Sequence, residues 1–269
     1  MGGLVVVGAD GSSSSDGAVV AAAREAQRRR ARLHVVHAFS WPVGALYAPL
    51  DPGPLDSLAH DAAQHARSIV PDVEVTHSVM IGGAVSVLAA ESRAADLLVV
   101  GRRGSGGFVG MLLGSTAVSL AAHSHCPVLV VRDEPNRDGP VVVAVDGSAE
   151  GEGAIEFAFA EAALRDTEIL AVHAWLPDHV PPGTGVESAE RLLAQAVAGR
   201  RERYPDVEVR QEVLSGEPRE VLIDASKDAR MLVVGARGRG GFTGMLLGSV
   251  SQAMLHHAHC PVAVVRRRN

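Results

Sequence analysis

The sequence predicts two tandem α/β domains, each a doubly wound, five-stranded parallel sheet of Rossmann-like type. Three observations predict it. First, the chain repeats itself: "VVGRRGSGGFVGMLLGS" at 99–115 returns as "VVGARGRGGFTGMLLGS" at 233–249, with twelve of fifteen positions identical between Gly101–Ser115 and Gly235–Ser249. Second, strand candidates such as "LLVVG" and "PVLVVR" are unbroken apolar runs, the pattern of parallel strands covered on both faces. Third, these runs alternate with segments long enough to be helices. A length of 269 residues suits two domains of about 130 better than one.

The elements follow in order. "VVVGADGS" (5–12) opens the first copy with a strand at 4–9, which breaks at Gly-Ser into a helix at 14–31. A strand at 33–39 containing "HVVHA" precedes an irregular Pro- and Gly-rich stretch and a helix at 55–69. Then come a strand at 73–80, a helix at 84–95, a strand at 97–101, the glycine loop, a helix at 115–124 and a strand at 127–132. The second copy places strands at 141–146, 168–174, 207–215, 231–235 and 261–266, and helices at 152–165, 187–203, 218–229 and 250–258. Its offset is 136 through "VVVAVDGS" (141–148) and "LAVHA" (170–174), and 134 from "PDVEV" (71–75 and 205–209) onward. The two-residue slip fits an insertion of Phe39-Ser40 before Trp41, whose counterpart is Trp175. The joint "RDEPNRDGP" has linker composition, so the domains are placed at 1–135 and 136–269.

Composition narrows the function. Hydrophobic content of 47% and charged content of 21% describe a soluble globular protein, and no apolar run approaches the ~20 residues of a membrane span. The start, "MGGLVVVGADG", lacks a basic leader, and Val6 stands where a myristoylation signal needs Ser or Thr; a cytoplasmic protein is expected. A net charge of −6 argues against nucleic acid as partner. Cys126 and Cys260 each sit in His-Cys-Pro-Val, 134 residues apart, and so are equivalent repeat positions rather than a disulfide. The histidines beside them, in "HSHCP" (123–127) and "HHAHCP" (256–261), favour a helix C-terminus. No second ligand pair lies at zinc spacing, so no metal site is expected.

The glycine loop carries the chemistry. Gly101 ends a buried strand and Ser115 opens a helix, the place where open α/β sheets bind ligands. Gly101 and Gly104 bracket a tight turn and let backbone approach a ligand, and Gly106 leaves amides free to face an anion. Gly114-Ser115 sets a hydroxyl and unpaired amides at a helix start, where the dipole favours phosphate. Arg103 and its equivalent Arg237 supply charge. No P-loop is possible: Lys227 is the only lysine and lies near no glycine loop. A dinucleotide fingerprint would follow the first strand, and this loop follows the fourth.

The spacing Gly-x2-Gly-x9-Gly-Ser occurs at Gly101, Gly104, Gly114, Ser115 and again at Gly235, Gly238, Gly248, Ser249. With the first-strand aspartates and the closing "HCPVLVV", the chain resembles tandem-domain universal stress proteins of the ATP-binding type over essentially its whole length. The resemblance implies an adenine nucleotide alpha hydrolase-like fold with ATP, carried with or without Mg²⁺, across the strand ends. It implies that Gly8, Ala9 and Asp10, and Ala144, Val145 and Asp146, meet the adenosine end. Ala38 and Ala174 would meet adenine by their backbone. The loops would hold ribose and triphosphate with Ser115 or Ser249 and the amides of Thr116 or Val250. Flanking loop residues complete the set: Val100, Arg102 and Ser105 in the first copy, and Val234, Ala236, Arg239 and Gly240 in the second. Val250 lacks the hydroxyl of Thr116, so the two sites need not be equal.

For Asp10 and Asp146 two readings stand. One is a helix cap; the other, favoured because Ser12 and Ser148 can cap, is a carboxylate that hydrogen-bonds ribose or adenine. His37 and His173 read as structural. Phe108, Met111, Leu112 and Leu113 form an apolar cluster that is core or subunit contact. Neither copy offers an activated nucleophile, a metal triad or paired carboxylates. Arg103, Arg237 or Arg239 would support weak ATPase activity at most. The expected function is a nucleotide-dependent stress or growth regulator with one ATP site per domain, the alternatives being a slow ATPase or nucleotide hydrolase and an interaction module that has lost its nucleotide. Expected partners are adenine nucleotide, a regulatory protein and a second copy of the chain, with the fifth strands, "PVLVVR" and "PVAVVR", as edges for pairing the two domains.

Overall fold

The structure, a computed structural model, describes residues 2–40, 53–104, 113–132, 138–176, 185–239 and 246–266. Ser105, Gly106, Gly240, Trp41, Phe108, Met111 and Leu112 lie outside the described residues. The chain divides into two compact units, Met1–Asp133 and Glu134–Asn269.

Unit 1 runs β1 (Leu4–Gly8), α1 (Ser13–Arg29), β2 (Arg32–Phe39), α2 (Gly53–Ile69), β3 (Val75–Ile81), α3 (Ala84–Glu91), β4 (Leu97–Gly101), α4 (Ser115–His123) and β5 (Val128–Val131). All its strand pairs are parallel, in the order β3-β2-β1-β4-β5. Unit 2 repeats this with β6 (Val141–Ala144), α5 (Glu152–Arg165), β7 (Ile169–Trp175), α6 (Val186–Arg201), β8 (Val209–Ser215), α7 (Pro218–Ala225), β9 (Met231–Gly235), α8 (Ser249–His257) and β10 (Val262–Val265). Its order is β8-β7-β6-β9-β10, again parallel throughout. The doubly wound α/β class expected from the sequence is therefore the fold of both units.

The order explains where a site can form. From β1 the chain winds to β2 and β3, then returns to the other side of β1 for β4 and β5. Right-handed crossovers in opposite directions put α1 and α2 on one face and α3 and α4 on the other. The reversal leaves a crevice between the carboxyl ends of β1 and β4, and of β6 and β9. The sheets are held by the apolar runs: Val5, Val6, Val7, Leu97, Leu98 and Val99 have no exposed surface, nor do Val141, Val142, Val143, Leu232 and Val233. At ~25 cal/mol per Å², burying each such side chain contributes about 1.5–3 kcal/mol before chain entropy is subtracted.

Several boundaries differ from expectation. Helix α1 stops at Arg29 because Arg30 turns left-handed (φ 51) with its amide on Gln27 O, although no glycine marks the spot. Asp166 turns left-handed in the same way after α5 (φ 49), where the helix ends at Arg165 as expected. Helices α3 and α7 are four residues shorter than expected. Ser92 and Ser226, both fully buried, donate their hydroxyls to Ala89 O and Ile223 O and accept the amides of His125 and His259, ending each helix in i→i+3 turns. Phe39 pairs with Ile81 where Trp175 pairs with Ser215, so Phe39 is the counterpart of Trp175. The two-residue insertion thus lies beyond Phe39, not at Phe39-Ser40. Strand pairing, which sequence similarity alone did not supply, fixes this register.

Candidate functional site

The turn after β1 is built by three residues. Gly11 takes φ +76, a conformation glycine adopts without strain, and Gly147 takes φ +71 at the same point of unit 2. Asp10 Oδ1 accepts from the Ser12 amide (3.1 Å) and hydroxyl (2.6 Å), and Ser12 Oγ accepts the Ser15 amide (3.2 Å) as the N-cap of α1. In unit 2, Asp146 Oδ1 accepts from the Ser148 amide (2.9 Å) and hydroxyl (2.7 Å). In both units the aspartate sets the turn; the serine caps the helix in unit 1, whereas in unit 2 Ser148 Oγ accepts the amide of Gly151 (3.1 Å), itself the N-cap of α5. Asp146 Oδ2 then accepts the amide of Arg239 at 2.9 Å, which ties the β6 turn to the glycine loop after β9.

His37 and His173 brace the same region. Each Nδ1 faces a carbonyl, Ala9 O at 2.8 Å and Val145 O at 2.6 Å, and a carbonyl can only accept, so Nδ1 carries the proton. Both histidines therefore lock the end of the first strand to the second, the structural role expected of them. His173 in addition lines the cleft of its unit.

The glycine loop is closed at its base by Gly114 N donating to Arg102 O (2.9 Å) and Gly248 N to Ala236 O (2.7 Å). A Cβ at Gly101 would lie 2.5 Å from Ser14 O, and one at Gly104 would lie 2.6 Å from Asp10 Oδ2. A Cβ at Gly238 would likewise run into Asp146 Oδ2. At these positions glycine makes room for the protein itself, where the sequence suggested room for a ligand. Gly114 and Gly248 differ: the nearest atoms to a Cβ there are 3.5 Å away, an ordinary contact. The units also brace the loop differently. Ser14 Oγ accepts the Arg103 amide (3.1 Å) in unit 1, whereas Ser251 Oγ donates to Gly235 O (2.6 Å) in unit 2, with Glu150 and Ala117 at the matching positions.

Each crevice opens into a cleft, about 570 Å³ of space in unit 1 and about 1340 Å³ in unit 2, counting the part open to solvent. In unit 1 it is lined by Gly8, Ala9, Asp10 and Ala38 from the first two strands, and by Val100, Gly101, Arg102, Arg103, Gly104, Gly114 and Thr116 from the loop side. In unit 2 the lining holds Ala144, Val145, Asp146 and Ala174, with Val234, Gly235, Arg237, Gly238, Arg239, Gly248, Ser249 and Val250. Ser115 opens α4 but does not line its cleft, and Ala236 is buried away from the other. The N-caps of α4 and α8, Gly114 and Gly248, have no side chain to cap with, so among the described residues the first-turn amides stand at the cleft, where the helix dipole favours an anion.

The sequence reading missed the apolar wall opposite the loop: Ala84 and Leu88 of α3, and Pro218 and Leu222 of α7. Gly82 (φ +149) and Gly216 (φ +144), after the third strand of each unit, were the available signal, because they turn the chain into these helices. Among the described residues, no group of three or more His, Cys, Asp or Glu could hold a metal ion. Among them, too, no helix is long and apolar enough to cross a membrane. A cleft with an apolar helix wall on one side and glycine-loop backbone with two arginines on the other suits an anionic ligand with an apolar part.

Comparison with known proteins gives the same picture at the level of sequence. A model of the universal stress protein family matches residues 3–132 and again 139–266. The chain is 38% identical over 288 residues to universal stress protein Rv2623 of Mycobacterium tuberculosis, an alignment covering 97% of this chain and 96% of that one. A universal stress protein of Mycolicibacterium smegmatis is 38% identical over 286 residues, covering 98% and 97%. Among solved structures, a universal stress protein from Archaeoglobus fulgidus has the same fold, with a TM-score of 0.75 at 20% identity over 99% of this chain and 97% of that one.

Proposed function

The chain belongs to the universal stress protein family, and on that premise we propose that it is an ATP-binding regulator of stress or growth, with one adenine nucleotide per unit and little or no hydrolysis. The observation that carries this is the doubled cleft: the same strand ends, aspartate, glycine loop and uncapped helix start recur in both units. The nucleoside goes to Gly8, Ala9, Asp10 and Ala38, and to Ala144, Val145, Asp146 and Ala174, against the apolar wall of α3 or α7. The phosphates go to the loop amides, Arg103 or Arg237, and the first turn of α4 or α8.

Asp146 Oδ1 already accepts two hydrogen bonds and Oδ2 one, which leaves Oδ2 one lone pair for a ribose hydroxyl. A carboxylate so engaged makes a poor general base and a poor ligand for Mg²⁺. Any Mg²⁺ would ride on the nucleotide's own phosphates and waters. The absence of an uncommitted base at Asp146 favours binding over turnover. A cytoplasmic location, a homodimer and a regulatory protein partner complete the proposal.

Native mass spectrometry and calorimetry on the full chain test it. Two ATP per chain, with phosphate release no faster than the background, is the expected result. A chain that stays empty at millimolar ATP overturns it.

A further inference from the structure

We propose that the two clefts differ in ligand preference, and that Arg239 makes the unit 2 cleft the one selective for nucleoside polyphosphate. The inference rests on the nucleotide reading above and concerns a residue that unit 1 does not share. The loops match at Arg103 and Arg237, but two residues later Ser105 stands where unit 2 has Arg239. Unit 1 has its second arginine at Arg102 instead, beside the strand end, where unit 2 has the buried Ala236.

Three features fix Arg239 where an anion would feel it. Its amide is held by Asp146 Oδ2 at 2.9 Å, so the side chain starts from an anchored point of the loop. Its Nη2 lies against Gly147, in the space a Cβ there would occupy, so the side chain, though exposed, folds back over the β6 turn. It lines the cleft with Arg237, and among the described residues no carboxylate pairs with either guanidinium. Two unpaired arginines at i and i+2 of a loop whose middle residue is Gly238 form a fork that a second or third phosphate would complete. A monophosphate, already held by loop amides and the start of α8, needs only one of them. The larger cleft of unit 2 gives that extended chain room.

The test isolates one site at a time. Gly114→Ala adds a methyl to the lining of the unit 1 cleft and is expected to weaken that site tenfold or more with the fold intact, since its Cβ meets only ordinary contacts within the protein, and Gly248→Ala does the same in unit 2. On the Gly114→Ala background, Arg239→Ser is expected to weaken ATP binding about tenfold, the loss of one charge-assisted contact in an exposed cleft, while AMP binding stays within about twofold. Arg239→Lys recovers part of the loss. On the Gly248→Ala background, where unit 1 is the stronger site, Arg239→Ser leaves binding there unchanged. Equal weakening of ATP and AMP would mean that Arg239 only shapes the loop, and no change for either would mean a solvated arginine; each overturns the inference. Wild-type chain that binds no nucleotide at all fails the reading of the site instead, so the two failures are told apart.

Discussion

Gly101→Ala and Gly114→Ala add one methyl each to the same loop, yet the structure assigns them opposite consequences. At Gly101 the new Cβ would stand 2.5 Å from Ser14 O and 2.6 Å from Ser14 Oγ, where ordinary contacts begin near 3.4 Å. The overlap falls on the backbone of the first turn of α1, which cannot swing aside as a side-chain tip can. Overpacking of this kind costs about 1–3 kcal/mol. For a unit of this size that lowers the melting temperature by about 4–12 °C, at roughly 4 °C per kcal/mol. At Gly114 the nearest atom is Arg102 O at 3.5 Å and φ is −76, so alanine fits without strain. Stability is expected to change by less than about 1 kcal/mol, because the restriction alanine places on the unfolded chain offsets the loss of glycine's preference for the N-cap position. Gly114 lines the cleft, so an added methyl there should lower nucleotide affinity tenfold or more, a cost above about 1.4 kcal/mol. Calorimetric scans with and without millimolar ATP separate the two. A Gly101→Ala chain as stable as wild type, or a Gly114→Ala chain that melts early without ligand, would refute the steric assignment. Gly235→Ala is the internal control: its Cβ would meet Arg237 O at 3.0 Å, so its loss should be smaller than that of Gly101→Ala.

Three further outcomes follow from groups away from the loop. Glu161 is 1% exposed and pairs with Arg165, one turn later on α5, so Glu161→Ala breaks a buried ion pair and should destabilise unit 2 by about 3–5 kcal/mol in denaturant titration. His34 sits between Thr76 Oγ1 (2.8 Å) and Ser78 Oγ (3.0 Å), and burial lowers its pKa below 6.5, with Glu91 opposing and His77 adding to the shift. The unfolded chain then takes up a proton before the folded one does, so this stability is whole above pH 6.5 and is lost as pH falls through the lowered folded value. His34→Gln should flatten that part of the stability–pH curve; an unchanged slope would assign it to other histidines. Lys227 and Asp224 form an ion pair on the surface of unit 2, and Lys227→Ala should leave the melting temperature unmoved.

How far the sequence could be read depended on where each instruction lies. Strands such as Leu97–Gly101 and Met231–Gly235 were legible because a buried parallel strand needs an unbroken apolar run, and nothing else in the chain looks the same. Helix ends were less so. Arg30 adopts left-handed backbone without a glycine, and Ser92 and Ser226 end their helices through hydroxyls that reach bonds set by the distant His125 and His259 amides. The loop side of the cleft was legible because glycines and arginines are rare enough to stand out. Ala84, Leu88, Pro218 and Leu222 were not, because an apolar helix face reads as core whichever side of it is covered. Buried Glu25 and Glu161 escaped for the opposite reason, since a charged residue in a helix reads as solvated until its arginines are seen beside it.

The glycine motif itself divides along the same line. Its first two glycines answer to the protein, being the only residue that fits against Ser14 in unit 1 and against Asp10 and Asp146 in both units. A chain that had lost its ligand would still need them to keep the loop against the sheet. Gly114 and Gly248 are different, for alanine would fit there without clash or backbone strain, although as N-caps of α4 and α8 they suit a helix start somewhat better than alanine does. Capping is a mild requirement that serine, asparagine or aspartate would meet better, so glycine in both copies is what fold requirements alone do not account for. The third glycine therefore carries the weight of the binding proposal, and the first two carry the weight of the fold. Between them stand Ser105 and Arg239, required by neither, which is where two copies of one loop are free to acquire different ligands.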